Sequence, residues 1–225
     1  MTLTNVVLVH GAWADGSSWA KIIPLLAAKG MAVTAVQLPL TSFEADVATV
    51  GRAIALTQGD VVLVGHSYAG AVIGQAGNDP KVKRLVYIDA FAPDAGESAA
   101  SLFAQFKAAP LNDEIRPDTE GFLSLTSKGI ATLFAQDLDL VEQSVIHATQ
   151  GPINGAALGG TLTQAAWHSR PTFYLIGEQD LAILPVDQER MATRMDATIK
   201  RIASSHVPML SHPVVVADFI LQAAA

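Results

Sequence analysis

A doubly wound α/β domain built on a mostly parallel, six-stranded sheet is the fold class that this sequence predicts. Short β-branched runs alternate along the chain with longer segments of helical length and spacing, as repeated strand–helix units require. The runs are apolar throughout rather than at every second residue, the mark of strands buried on both faces. With 225 residues, one domain can bury a substantial core without metal or disulfide support.

The elements follow in order. Asn5–His10 reads as the first strand and ends in a His10-Gly11 turn, and Ser17–Lys29 has helical spacing. Ala32–Gln37 is the second strand and Phe43–Gln58 the second helix. Val61–Gly65 is a third, fully apolar strand that runs into a tight turn at Ser67, with Tyr68–Asn78 as the helix beyond. Leu85–Ile88 is the fourth strand. No further strand candidate follows until Thr172–Ile176, and the gap holds helical patterns near Glu97–Ala108, Glu120–Ser127 and Leu138–Gln150. That gap is too long for a loop, so a helical cap over about residues 91–168 is expected across the strands' C-terminal ends. Its apolar residues, among them Phe103, Phe134 and Trp167, are candidates for a pocket wall. Pro185–Met195, Thr198–Ile202 and His212–Ala224 complete a single domain spanning 1–225.

Composition narrows the function. The formal net charge is −7 and no block of basic residues occurs, which argues against nucleic acid or an anionic membrane as partner. There is no cysteine, so thiolate catalysis and thiolate metal sites are excluded. Met1 to Asn5 lacks a basic start, and the apolar run after it stops at His10-Gly11, too short for a signal-peptide core or a membrane span. A cytoplasmic location is expected.

Ser67 lies at the tip of Gly65-His66-Ser67-Tyr68-Ala69-Gly70, where a strand turns sharply into a helix. Such a turn lifts a hydroxyl clear of the sheet and brings a helix's free N–H groups close to it. A serine needs an imidazole to become nucleophilic, and the imidazole needs a carboxylate to orient it. Of six histidines, His10 and His66 sit in glycine turns, His147 lies in the expected cap and His168 precedes a strand. His206 follows the last strand and therefore shares an edge with Ser67, whereas His212 starts the final helix; His206 is the candidate base. Glu178 and Asp180 both follow Thr172–Ile176, with Asp187 already in the next helix, and Asp180, deeper in the loop, is the candidate acid. Backbone N–H groups of Ala12, after the first strand, and Tyr68, after the serine, form the expected oxyanion hole.

The order Ser67, Asp180, His206 resembles that of the α/β-hydrolase superfamily. Within it, the chain is similar to the small group of plant methylesterases, hydroxynitrile lyases and related bacterial esterases. The resemblance runs over nearly the whole chain. It rests on Val-Leu-Val-His-Gly-Ala-Trp with Trp19 after it, on Gly-His-Ser-Tyr-Ala-Gly, and on Ile-Asp-Ala-Phe-Ala-Pro-Asp at 88–94. Gly-Glu-Gln-Asp-Leu-Ala-Ile-Leu-Pro at 177–185 and Ser-His-Val-Pro-Met-Leu-Ser-His-Pro at 205–213 complete it. It implies an α/β-hydrolase fold and a serine hydrolase that cleaves a small, mainly apolar ester, with no cofactor and no metal. Ala69 stands where the superfamily turn usually has glycine. Gly11 and Val207 stand where the lyases resemble one another in having threonine and lysine, so the resemblance favours esterase over lyase. A cofactor-free lyase or oxygenase on the same fold, or a ligand-binding protein without catalysis, are the alternative readings.

Overall fold

The computed structural model describes residues 3–106 and 108–225. Its main sheet has six strands in the order β2-β1-β3-β4-β8-β9, and every neighbouring pair is parallel. The strands are β1 (Asn5–Val9), β2 (Ala32–Ala35), β3 (Val61–His66), β4 (Val82–Ile88), β8 (Thr172–Gly177) and β9 (Thr198–Ile202). Between them run α1 (Ile23–Ala27), α2 (Phe43–Leu56), α3 (Ala69–Ala76) and α8 (Pro185–Arg194), with α9 (Pro208–Ser211) and α10 (Pro213–Ala224) closing the chain.

Successive side chains of a strand point to opposite faces, which divides the core in two. Val7, Val9, Leu63, Tyr87 and Tyr174 meet α2, α3 and α8 on one side. On the other, Val6, Leu8, Val62, Val64, Val86 and Leu175 meet α1 and α10. Each such buried side chain contributes roughly 1.5–3 kcal/mol relative to exposure, so the central strands hold the sheet from both faces. All C-terminal strand ends lie along one edge because all the pairings are parallel.

Three expectations are corrected. The helix expected over Ser17–Lys29 is a short 3₁₀ turn, Gly16–Trp19, followed by α1. Pro24 is the reason: its ring fits the first turn of α1 but would break the interior of a longer helix. The strand expected over Leu85–Ile88 begins at Val82, three residues earlier, where half-buried Lys83 and Arg84 interrupt the apolar run. The helix expected over Glu120–Ser127 is instead a strand.

That strand belongs to the segment between β4 and β8. It contains α4 (Ala99–Gln105), β5 (Ile115–Pro117), β6 (Phe122–Leu125), α5 (Ser127–Gly129), α6 (Leu140–Thr149), β7 (Ile153–Asn154) and α7 (Gly155–Leu158). β6 pairs antiparallel with both β5 and β7. A single wide turn of π-helix, Ile130–Phe134, leads towards α6. The Gln143 amide donates to the carbonyls of Ala135 at 3.1 Å and Leu138 at 3.0 Å, satisfying groups this irregular stretch would otherwise strand. Among the described residues no helix is long and apolar enough to cross a membrane.

Candidate active site

Ser67 sits just beyond β3 with φ of 56°, in the left-handed region that a side-chain-bearing residue occupies at a cost of roughly 1–3 kcal/mol. Neighbours hold it there. Its N–H donates to the Ile88 carbonyl at 3.2 Å, and its own carbonyl accepts from Phe91 N at 3.1 Å. Two glycines make the close approach possible. A Cβ on Gly70 would lie 2.0 Å from the Phe91 carbonyl oxygen, and one on Gly11 would lie 2.7 Å from Ser67 Cβ.

The structure brings the three sequence-predicted groups together. His206 Nε2 lies 2.8 Å from Ser67 Oγ, and His206 Nδ1 lies 2.6 Å from Asp180 Oδ2. Ser67, His206 and Asp180 are all buried. A carboxylate can only accept, so Nδ1–H donates to Asp180 and the Nε2 lone pair faces the serine hydroxyl. Asp180 is fixed in turn. Its Oδ1 accepts from Ala182 N at 2.7 Å and Ile183 N at 3.0 Å, while its Oδ2 also accepts from Gln188 Nε2 at 2.7 Å. The alternatives lie elsewhere: Glu178 is exposed, and the His212 ring bonds its neighbour Ser211 at 2.8 Å.

Several supporting contacts carry no sequence signal. Asp137 accepts from Ser205 N at 2.9 Å and so anchors the loop just before His206. Phe134 packs on the His206 ring with centroids 5.0 Å apart. Tyr68 donates its hydroxyl to Asp46 Oδ2 at 2.8 Å, and Asp46 Oδ1 accepts from Leu40 N at 2.9 Å, which ties the residue after the serine to the start of α2. His66 Nε2 lies 2.7 Å from the His206 carbonyl, so it is the protonated nitrogen. His10 likewise donates from Nδ1 to the Gly11 carbonyl at 2.9 Å and accepts from Leu38 N at Nε2, also at 2.9 Å. Both histidines had read as parts of glycine turns; both orient backbone at the site.

Burial pushes the His66 imidazole well below its ordinary value of 6.5, helped by the neighbouring His206 and His10, and burial lowers His10 as well. Both groups bind protons less readily in the folded chain than in the unfolded chain as pH falls past about 6.5, so they cost stability on the acid side. His66→Gln is therefore expected to show a smaller fall in melting temperature than the wild type between about pH 7.5 and about pH 5. Asp89 and Asp46, whose carboxyls are raised, act in the opposite sense and equally in both proteins. Identical acid losses in thermal melts of the two would contradict the assignment.

A cavity of about 200 Å³ opens beside Ser67, lined by Ala12, Trp13, Tyr68, Phe91, Phe103 and Leu123 among others. The Ala12 and Tyr68 N–H groups have no acceptor among the described residues, and Tyr68 leads into α3, whose positive end favours negative charge here. A second cavity, of about 190 Å³, is lined by Phe134, Val207 and the outer side of α6. Trp13 walls both, with its indole N–H donating to the Leu123 carbonyl at 2.8 Å. Of the expected pocket residues, Phe103 reaches the first cavity and Phe134 the second. Trp167 reaches neither and donates to the Pro93 carbonyl at 3.1 Å. Among the described residues, the one trio of acid and imidazole groups close enough to share a metal ion is Asp89, Asp180 and His206. Both ring nitrogens of that histidine are already engaged, by Asp180 and by Ser67.

A serine, a carboxylate and an imidazole beyond the C-terminal ends of three parallel strands, β3, β8 and β9, define a class, and the chain falls within it. Residues 6–219 match the alpha/beta hydrolase family, and the chain belongs to that family. It is a hydrolase. It is 32% identical to the alpha/beta hydrolase nvfD of Aspergillus novofumigatus over 73% of this chain and 70% of that one. It is 26% identical to methylesterase 1 of Arabidopsis thaliana over 98% and 95% of the two chains. The crystal structure of a pyrethroid hydrolase from Sphingobium faniae superposes with a TM-score of 0.86 at 23% identity, covering 99% and 98%.

Proposed function

We propose that the protein is a carboxylesterase that cleaves a small, mainly apolar ester through an acyl-enzyme on Ser67. The observation that carries this reading is the continuous chain Ser67 Oγ, His206 Nε2, His206 Nδ1, Asp180 Oδ2, buried at the floor of an apolar cavity. Roles follow from the donors and acceptors. His206 takes the Ser67 proton as Oγ attacks the ester carbonyl, and later returns it to the departing alcohol. Asp180 holds the imidazole tautomer and stabilises the imidazolium. The Ala12 and Tyr68 N–H groups receive the oxyanion, worth about 2.7–4 kcal/mol per donor in comparable sites. The segment over about 91–168 acts as a cap, with Ala99, Phe103 and Leu123 closing the cavity over the serine.

Names of relatives agree with an ester substrate: methylesterase, and a carbendazim hydrolyzing esterase of Nocardioides sp. that is 35% identical over 48% of this chain. Val207 supplies no charge beside His206 to hold a departing cyanide, which favours hydrolysis over lyase chemistry. Ester turnover and covalent capture test the proposal together. p-Nitrophenyl acetate should give a burst of one p-nitrophenol per active site whenever deacylation is slow, and a p-nitrophenyl phosphonate should inactivate with one label on Ser67. Label found on another residue, or turnover that survives complete labelling, would rule out this mechanism.

A further inference from the structure

A buried carboxyl with no part in the proposed chemistry stands beside one that has a central part. Asp89 directly follows β4, at the same sheet edge as Ser67, and is fully buried. Its backbone is left-handed, with φ of 44°. One of its carboxyl oxygens, an Asp180 carboxylate oxygen and a ring nitrogen of His206 all lie within 4.8 Å of one another.

Hydrogen bonding tells the two acids apart. Asp180 accepts four donors, from Ala182 N, Ile183 N, Gln188 Nε2 and His206 Nδ1, and is built to carry a charge. Asp89 accepts one, the Gly177 N–H at Oδ1, and its Oδ2 has no partner among the described residues. Two ionised carboxylates so close, shut away from water, repel strongly. Burial pushes the Asp89 carboxyl well above the usual carboxylate range, the Asp180 charge pushes it further, and Asp137 adds to the push, while Gly177 N–H opposes it. The proton that keeps the pair singly charged therefore resides on Asp89, whose unpartnered Oδ2 can carry it.

We propose that Asp89 is a positioning acid held in reserve beside His206: its carboxyl can supply, opposite the imidazolium, the negative charge that Asp180 supplies in the intact protein. The proposal rests on the Ser67–His206 mechanism above. In the intact protein Asp180 faces the imidazolium formed when Nε2 takes the Ser67 proton, and Asp89 keeps its own proton. Removing the Asp180 carboxylate removes the repulsion. Burial still opposes ionisation, but the imidazolium then has no other counter-charge, so Asp89 releases its proton to solvent as the imidazolium forms and the carboxylate left behind stabilises it.

The test is a double-mutant cycle on p-nitrophenyl acetate with Asp89→Asn, Asp180→Ala and the pair, each checked for folding by thermal melt. Asp180→Asn replaces Asp180→Ala should the smaller side chain fail to fold. Asp180→Ala is expected to lose about 10²-fold in kcat/KM, and the double variant about 10⁴-fold. Asp89→Asn should thus cost at least about tenfold more without Asp180 than with it. The pH profile of Asp180→Ala should contain an ionisation that the double variant lacks, which a purely structural role for Asp89 would not produce. Equal costs of Asp89→Asn in both backgrounds, with superimposable pH profiles, would overturn the proposal. A Ser67→Ala variant as active as the wild type would instead sink the underlying mechanism, so the two failures are distinct.

Discussion

Ser67→Ala is expected to lower kcat on a p-nitrophenyl ester by at least about 10⁴-fold while the fold persists. In the proposed mechanism Ser67, His206 and Asp180 act as a unit, and without Oγ no acyl-enzyme can form. Residual rate comes from binding and from the Ala12 and Tyr68 N–H groups, which the substitution leaves in place. Folding should survive because the hydroxyl contributes one hydrogen bond, to His206, while the turn is held by backbone bonds to Ile88 and Phe91. The left-handed backbone at position 67 is no easier for alanine than for serine, so the strain is unchanged. Rate measurements on purified variant decide the matter. More than a tenth of wild-type turnover would remove Ser67 as nucleophile.

His206→Gln is expected to cost nearly as much, about 10⁴-fold in kcat, because glutamine fills part of the imidazole's space but cannot accept the serine proton at neutral pH. Here a structural cost accompanies the chemical one. Asp180 would lose one of its four donors and stay buried with its charge, a change worth roughly 1–3 kcal/mol. His212→Gln provides the contrast. That ring touches Ser211 and does not line the cavity beside Ser67, so most activity should remain. If His212→Gln were the inactive variant and His206→Gln the active one, the base would have been misassigned.

Much of the fold was legible because its central strands are extreme in composition. Val61 to Val64 is apolar at every position, and the structure buries all four on a strand flanked by parallel neighbours. Where strand residues are mixed, the reading failed at boundaries: Lys83 and Arg84 disguised the first half of β4. β6 is only four residues long, and β5 and β7 are three and two, too short for any period to show. Such strands exist because neighbours pair with them, β5 across a short connection and β7 from about thirty positions further on.

The same distinction divides the site. Ser67, Asp180 and His206 could be placed because each follows a strand, and parallel strands bring their ends to one edge. Gln188, Asp137 and Asp46 could not, since their partners are set by packing: Asp137 meets a backbone 68 positions away, and Asp46 meets Tyr68 22 positions away. Asp89 was visible within the Ile-Asp-Ala-Phe run but without a role, because its closeness to Asp180 depends on β4 and β8 being neighbours in the sheet.

The wholly parallel sheet also governs when activity can arise during folding. Parallel neighbours cannot be joined by a tight hairpin, so every pairing in the sheet closes a long loop, and such non-local closures are slow. The contact between His206 and Ser67 spans 139 positions, and it requires β3, β4, β8 and β9 all to be in register first. Helices such as α2 and α10 form from local contacts and precede it. On dilution from denaturant the far-ultraviolet helical signal is therefore expected to return early and ester turnover last, which would make hydrolysis a clock for the final docking of β9 and no substitute for a secondary-structure measurement. Fragments that end before β9 lack His206 and so have no working serine.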